Sequence, residues 1–328
     1  MKTVPANKLY QTMNEWGKQG RPFVFLVDAF AENGWISTWE EAAPKLLWQT
    51  ARSGNAGFSS PPPQLRKWEI TPVAPATYQK GFDQVMQHIR RGDTFLLNYT
   101  QPTQVDCNLD LHQLFQLSQA RYKVHLRGEF TCFSPETFVK IDNGIIAAYP
   151  MKGTAEVSAG SPNDAEQQLL AHGKELAEHH TIVDLIRNDL SQVASQVTVK
   201  KFRYTERLRT NRQELIQVSS EITGQLGDGW PAQLGDIFSR LLPAGSVTGA
   251  PKPKTTEIIR QAEKYERGWY TGVFGLFDGQ TLDSTVLIRF VENNQGKLRF
   301  KSGGGITFQS NCEQEYAEMI KKVYVPVA

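Results

Sequence analysis

Strand-like runs and amphipathic helices follow one another along this chain without a regular strand–helix repeat, and that irregular order constrains its fold most. Parallel strands need long crossovers, commonly helical, whereas antiparallel strands can be joined by turns. Phe23-Val-Phe-Leu-Val27 reads as a strand ending at Asp28. Tyr78, Phe82, Val85, Met86 and Ile89 recur at helical spacing and predict an amphipathic helix closed by Gly92. Thr94 to Thr100 follows as a strand. Phe138 to Tyr149 predicts a hairpin turning at Asp142-Asn143-Gly144, a strong turn signal. Asp164 to about Leu190 is predicted to be largely helical. Thr271 to Phe277 and Thr285 to Val291 are predicted strands joined across Asp278-Gly279, and Glu313 to Val323 a closing helix. This order predicts an α+β fold built on antiparallel sheets.

Prolines interrupt the pattern early. Ser59-Ser-Pro-Pro-Pro63 and Thr71-Pro-Val-Ala-Pro75 read as a connection, because proline neither donates to a ladder nor continues a helix. A boundary near 75 would divide a short N-terminal part, 1–75, packed on the core, from a larger domain, 76–328. The net charge of +2 gives no reason to expect nucleic acid as a partner. The three cysteines form no C-x-x-C pair, which argues against a structural zinc site or a disulfide framework. No apolar run approaches the ~20 residues a bilayer requires. A cytoplasmic protein with no membrane partner is the expectation.

Several clusters could carry chemistry. Glu315 and Glu318 are i,i+3 neighbours whose mutual repulsion a divalent cation would relieve. On spacing alone they read first as the acidic first turn of a solvated helix, with Glu313 and balanced by Lys321 and Lys322. Glu178 lies in Ala177-Glu-His-His-Thr-Ile-Val-Asp-Leu-Ile-Arg-Asn-Asp189, where Asp184, Arg187 and Asp189 read as structural ion pairs. His179 and His180 read as packing or surface residues. Lys152 sits between a proline and a glycine in Tyr149-Pro-Met-Lys-Gly-Thr154; shelter from water would lower its pKa and free an amine, whereas a solvated loop lysine would do nothing. Gly303-Gly-Gly305 and Gly245-Ser-Val-Thr-Gly-Ala-Pro251 can present backbone N–H groups to an anion, or simply turn the chain. Neither matches a nucleotide-binding motif.

Taken together, the segments resemble the chorismate-utilising enzymes from about Tyr78 to the C-terminus. The resemblance rests on Ala177-Glu178 with Ile182-Val-Asp-Leu-Ile-Arg-Asn-Asp-Leu190, Gly245-Ser-Val-Thr-Gly-Ala-Pro-Lys252, Gly303-Gly-Gly-Ile306, and Glu315-Tyr-Ala-Glu318 with Lys322. It implies a layered αββα fold with antiparallel or mixed central sheets and the active site between them. It implies Mg²⁺ held by Glu178 and Glu318, with Glu315 acting through water, and bound to the ring carboxylate of chorismate. Gly303, Gly304, Gly305, Thr248, Tyr270 and Arg289 would cradle the substrate's carboxylates, with Arg289 as a bidentate clamp.

Within that family, Lys152 falls where aminodeoxychorismate synthases carry a nucleophilic lysine, and Glu136 of Ser134-Pro-Glu136 matches the general acid for the departing hydroxyl. The resemblance therefore implies component I of such an enzyme, making 4-amino-4-deoxychorismate for folate and 4-aminobenzoate biosynthesis. Ammonia would come from a separate glutamine amidotransferase subunit. Anthranilate synthase component I is the alternative, and a non-catalytic chorismate-binding subunit a further one. Gln217 stands where many members have histidine, and Leu96 where ammonia-using members have glutamine and water-adding ones a base lysine. No tryptophan-feedback element is recognisable before residue 75, so tryptophan control is not expected.

Overall fold

The computed structural model describes residues 2–57, 61, 63–156, 162–171, 173–209 and 214–327; side chains at 152, 154–156, 162–165, 174, 175, 207–209, 214 and 215 lie outside the described set. Two antiparallel sheets, of ten and eight strands, form its centre. The Phe23–Val27 strand shows why they layer. All five of its residues are buried, and successive side chains point to opposite faces. Phe23, Phe25 and Val27 enter a core with Leu9, Met13, Phe238 and Leu241, which lie on helices. Val24 and Leu26 enter a second core with Trp48, Val124, Phe130 and Phe290, which lie on strands of the other sheet. A third core packs Tyr78, Val85, Ile258 and Met319 from helices against Leu97, Tyr99 and Ile306 of the eight-stranded sheet. The order is helices, sheet, sheet, helices, the expected αββα layering. Each fully buried large apolar side chain contributes roughly 1.5–3 kcal/mol.

Local signals resolve as the residues dictate. The Pro75–Arg91 helix starts with proline in its first turn and stops at Gly92, whose φ of 80° suits glycine. Thr137–Asp142 and Ile145–Ala148 pair across Asn143 and Gly144, both at positive φ, as a two-residue hairpin requires. The strand expected at Thr94 to Thr100 is Leu96–Cys107 and pairs along Lys297–Ile306. In the stretch near 164–190 the described residues Pro162–Ala171 and Gly173–Ser191 are helical, and the closing helix is Cys312–Lys321. Residues before 75 supply strands to both sheets: Phe23–Val27 pairs with Val273–Phe277, and Leu46–Gln49 with Tyr122–Leu126.

One expectation is corrected. Thr285 to Val291 is not one strand. Leu282–Val286 belongs to the ten-stranded sheet and Phe290–Asn294 to the eight-stranded one, so the chain changes sheets between them. Phe130–Ser134 and Thr137–Asp142 change sheets in the same way. Alternation within a sequence cannot show which sheet a residue joins, because both sheets bury apolar faces.

Candidate active site

The two sheet-to-sheet crossings lie side by side and carry Glu136 and Arg289. Val286 N and Thr285 Oγ1 donate to the carbonyl of Glu136 at 3.3 and 2.6 Å. Phe133 N donates to the carbonyl of Arg289 at 3.1 Å. Arg289 adopts a φ of 54°, and its buried Nε has no hydrogen-bond partner among the described residues. An orphan buried guanidinium donor costs free energy unless a ligand takes the bond. Burial pushes the Glu136 carboxyl pKa up, against the opposing pull of a hydrogen bond from Ser246 and the charge of Arg289. A carboxyl in that state can hold a proton to deliver.

Ser246 belongs to the short Gly245–Thr248 helix. Two donors fix that segment: Arg267 Nη1 and Asn98 Nδ2 reach the carbonyl of Val247 at 2.9 and 3.1 Å. Arg267, 1% exposed, also donates to Asn98 O at 2.6 Å and to both carboxylate oxygens of Glu263, at 2.8 and 2.6 Å. Glu263 in turn accepts from Thr100 N and Oγ1. Gly249, at φ 120°, lies so close to the backbone of Leu96 that any side chain would collide with it. Thr248 and Tyr270 are buried beside this frame, and the Tyr270 ring lies 5.8 Å from that of Phe290.

Gly303, Gly304 and Gly305 pair with Thr100, Tyr99 and Asn98. A Cβ on Gly303 would strike the backbone of Tyr99 and Thr100. One on Gly304 would lie 3.2 Å from Glu315 Oε2, 3.7 Å from Glu318 Oε1 and 3.7 Å from Lys322 Nζ. One on Gly305 would meet Leu96 Cδ1 at 3.0 Å. The glycines thus open a cradle over which Glu315 and Glu318 lean. Glu315 also accepts from Ser310 Oγ at 2.8 Å, and Glu318 pairs with Lys322 at 2.6 Å. Two hard oxygen donors beside an open backbone suit magnesium, which takes one or two carboxylates and leaves places for water and substrate. Among the described residues, no group of three or more acidic, His or Cys side chains converges to hold a metal, so Glu178, Glu315 and Glu318 do not form a preassembled triad.

Glu178 is half-buried on the Gly173–Ser191 helix. Its neighbour His179 is fully buried and bonds Ser220 Oγ through Nε2 at 2.7 Å, tying this helix to the Glu214–Gln225 strand. Asp184 pairs with Arg187 at the surface, whereas Asp189 pairs with Lys252 at 2.8 Å and joins the helix to the start of Lys252–Glu263. Lys152 lies on Met151–Glu156, where pairing with Glu214–Gln225 slips between Met151 and Thr154. Gly153, within the slip, has φ 94°. Such a bulge re-aims side chains; the side chain of Lys152 itself lies outside the described residues. Gln217, half-buried, pairs with Thr154 across the ladder.

Sequence reasoning missed Ser246, Asn98, Glu263 and Arg267. Ser246 stood inside a quoted motif, but Glu263 and Arg267 carry only the i,i+4 spacing of any helical ion pair.

Fold and site define an α+β enzyme with an unpartnered arginine donor, a half-buried carboxyl and clustered carboxylates arranged about two facing sheets. The chain belongs to the family of chorismate binding enzymes, whose model matches residues 22–328, and it is a chorismate-utilising enzyme. It is 48% identical over 314 residues to a PabA-like protein of Haemophilus influenzae, across 96% of this chain and 95% of that one. It is 32% identical over 301 residues to aminodeoxychorismate synthase component 1 of Salmonella typhimurium, across 88% of this chain and 64% of that longer one. Anthranilate synthase component I from Streptococcus pneumoniae superposes with a TM-score of 0.64 at 26% identity, across 78% of this chain and 58% of that one. Both product classes therefore occur among its relatives.

Proposed function

We propose that this enzyme is component I of an aminodeoxychorismate synthase, converting chorismate and ammonia to 4-amino-4-deoxychorismate and water. The observation that carries this reading is the slipped ladder at Lys152, held between the Pro150 carbonyl, bonded to Ser220 N at 3.0 Å, and left-handed Gly153. A lysine at this bulge would be aimed by the backbone around it. Its neutral amine would attack ring carbon two, both ring double bonds would shift along the ring, and the hydroxyl would leave carbon four as water with the proton of Glu136. Ammonia would then enter carbon four, both double bonds would shift back and the lysine amine would depart. The Glu136 carboxylate would recover the proton lost by the new C–N bond. Splitting one displacement into two is what a nucleophile offers.

Arg289 would clamp a substrate carboxylate with Thr248 and Tyr270 beside it, and the backbone at Gly303, Gly304 and Gly305 would line the cradle. Glu315 and Glu318, joined on binding by Glu178 of the Gly173–Ser191 helix, would hold magnesium, which when bound supplies a Lewis-acidic anchor for the ring carboxylate. A glutamine amidotransferase subunit in the cytoplasm would supply ammonia, placing the product in folate and 4-aminobenzoate synthesis. Incubation with chorismate, magnesium and ammonium, followed by mass spectrometry and chromatography, tests the reading. 4-Amino-4-deoxychorismate supports it, anthranilate replaces it with anthranilate synthase, and untouched chorismate overturns it.

A further inference from the structure

Glu136 has two carboxyl oxygens, and the acid step needs the proton on the one that faces substrate. Ser246 Oγ donates to Glu136 Oε1 at 2.6 Å. We propose that Ser246 is the positioning residue that sorts the two oxygens: Oε1 is kept as an acceptor, so the proton is carried on Oε2.

Both ends of this bond are immobilised independently. Glu136 is pinned through its carbonyl by Thr285 and Val286, and through its N–H by Ser134 Oγ at 3.1 Å. Ser246 rides on a helix of one turn whose next residue, Val247, is held by the buried Arg267 and by Asn98. A hydroxyl on so fixed a frame selects one carboxyl rotamer, whereas a freely rotating carboxyl would present either oxygen to the substrate. The bond also sets the acid's strength. Burial raises the Glu136 pKa, and the Ser246 hydrogen bond and the Arg289 charge hold that rise in check. Removing the hydroxyl withdraws a donor from the ionised form, so the pKa must climb further.

This inference rests on the reading of Glu136 as the general acid, and its test separates the two. Infrared difference titration of the full chain, with Glu136→Gln as the subtraction reference, reads the carboxyl directly and needs no turnover. Ser246→Ala should move the Glu136 midpoint upward by about one pH unit, the scale of one hydrogen bond to a charged group. Ser246→Thr should restore it. In steady-state assays with chorismate, magnesium and ammonium, Ser246→Ala should lower kcat about tenfold and shift the alkaline limb of the pH profile upward with the midpoint. A packing role alone would lower activity without moving either. An unchanged midpoint in Ser246→Ala overturns the positioning role. Full turnover by Glu136→Gln, with the infrared shift intact, overturns the acid reading and leaves the Ser246 bond standing.

Discussion

Lys322 binds the glycine strand to the closing helix: its Nζ donates to the carbonyl of Gly303 at 2.8 Å while pairing with Glu318 Oε1 at 2.6 Å. The same ammonium therefore holds a cradle residue and a candidate magnesium ligand, and the space between them is the missing side chain of Gly304.

Gly304→Ala should test that space. The added methyl would press on Glu315 Oε2 at 3.2 Å, the far end of a flexible side chain, so the fold should tolerate it. We expect an almost unchanged Tm but about tenfold weaker magnesium activation, as for disturbance of a metal's surroundings. A magnesium titration of activity checks this, and an unaltered curve would remove the metal from the cradle.

Lys152→Ala should abolish most amination and leave the far-ultraviolet circular dichroism unchanged. In wild-type protein given chorismate and magnesium without ammonia, intact-protein mass should rise by an adduct that maps to Lys152. Unchanged turnover in the variant would mean that ammonia attacks directly.

Arg289→Lys should raise KM for chorismate about tenfold, because a point charge replaces a planar fork and one charge-assisted hydrogen bond is lost. Initial rates across a substrate series decide it. A normal KM would assign Arg289 to the sheet crossing alone.

Arg267→Met should cost on the order of 3–5 kcal/mol, because it leaves Glu263 buried without its partner. Arg267 and Glu263 side chains are each 1% exposed. The double variant with Glu263→Leu should recover part of that loss. Urea unfolding measures both, and equal losses in the single and double variants would contradict the coupling.

Burial lowers the His125 pKa from 6.5 to about 4, with its Nδ1 against the carbonyl of Phe130 at 3.0 Å. The unfolded chain takes up this proton at a higher pH than the folded one, so stability should fall as pH drops from about 6.5 towards 4. The contribution lost is roughly 3 kcal/mol for a shift of this size. His125→Gln should flatten that part of the stability–pH curve, which chemical denaturation at several pH values would show.

Short-range chemistry was legible in the residues themselves. Gly92 ended its helix and Asn143-Gly144 turned its hairpin, because each backbone conformation depends on the residue that adopts it. The four motifs likewise pointed to the family, since their order survives in the chain whatever the packing. The tertiary structure alone decided that the crossings carrying Glu136 and Arg289 lie side by side. Their crossings lie far apart in sequence, and an apolar run reads alike in either sheet. It alone also selected Ser246, rather than another hydroxyl of its loop, to reach Glu136, and joined Arg267 to Val247 and Asn98. A hydrogen bond depends on distance and direction in space, and those are set only when two sheets, each specified by its own pattern, have packed together.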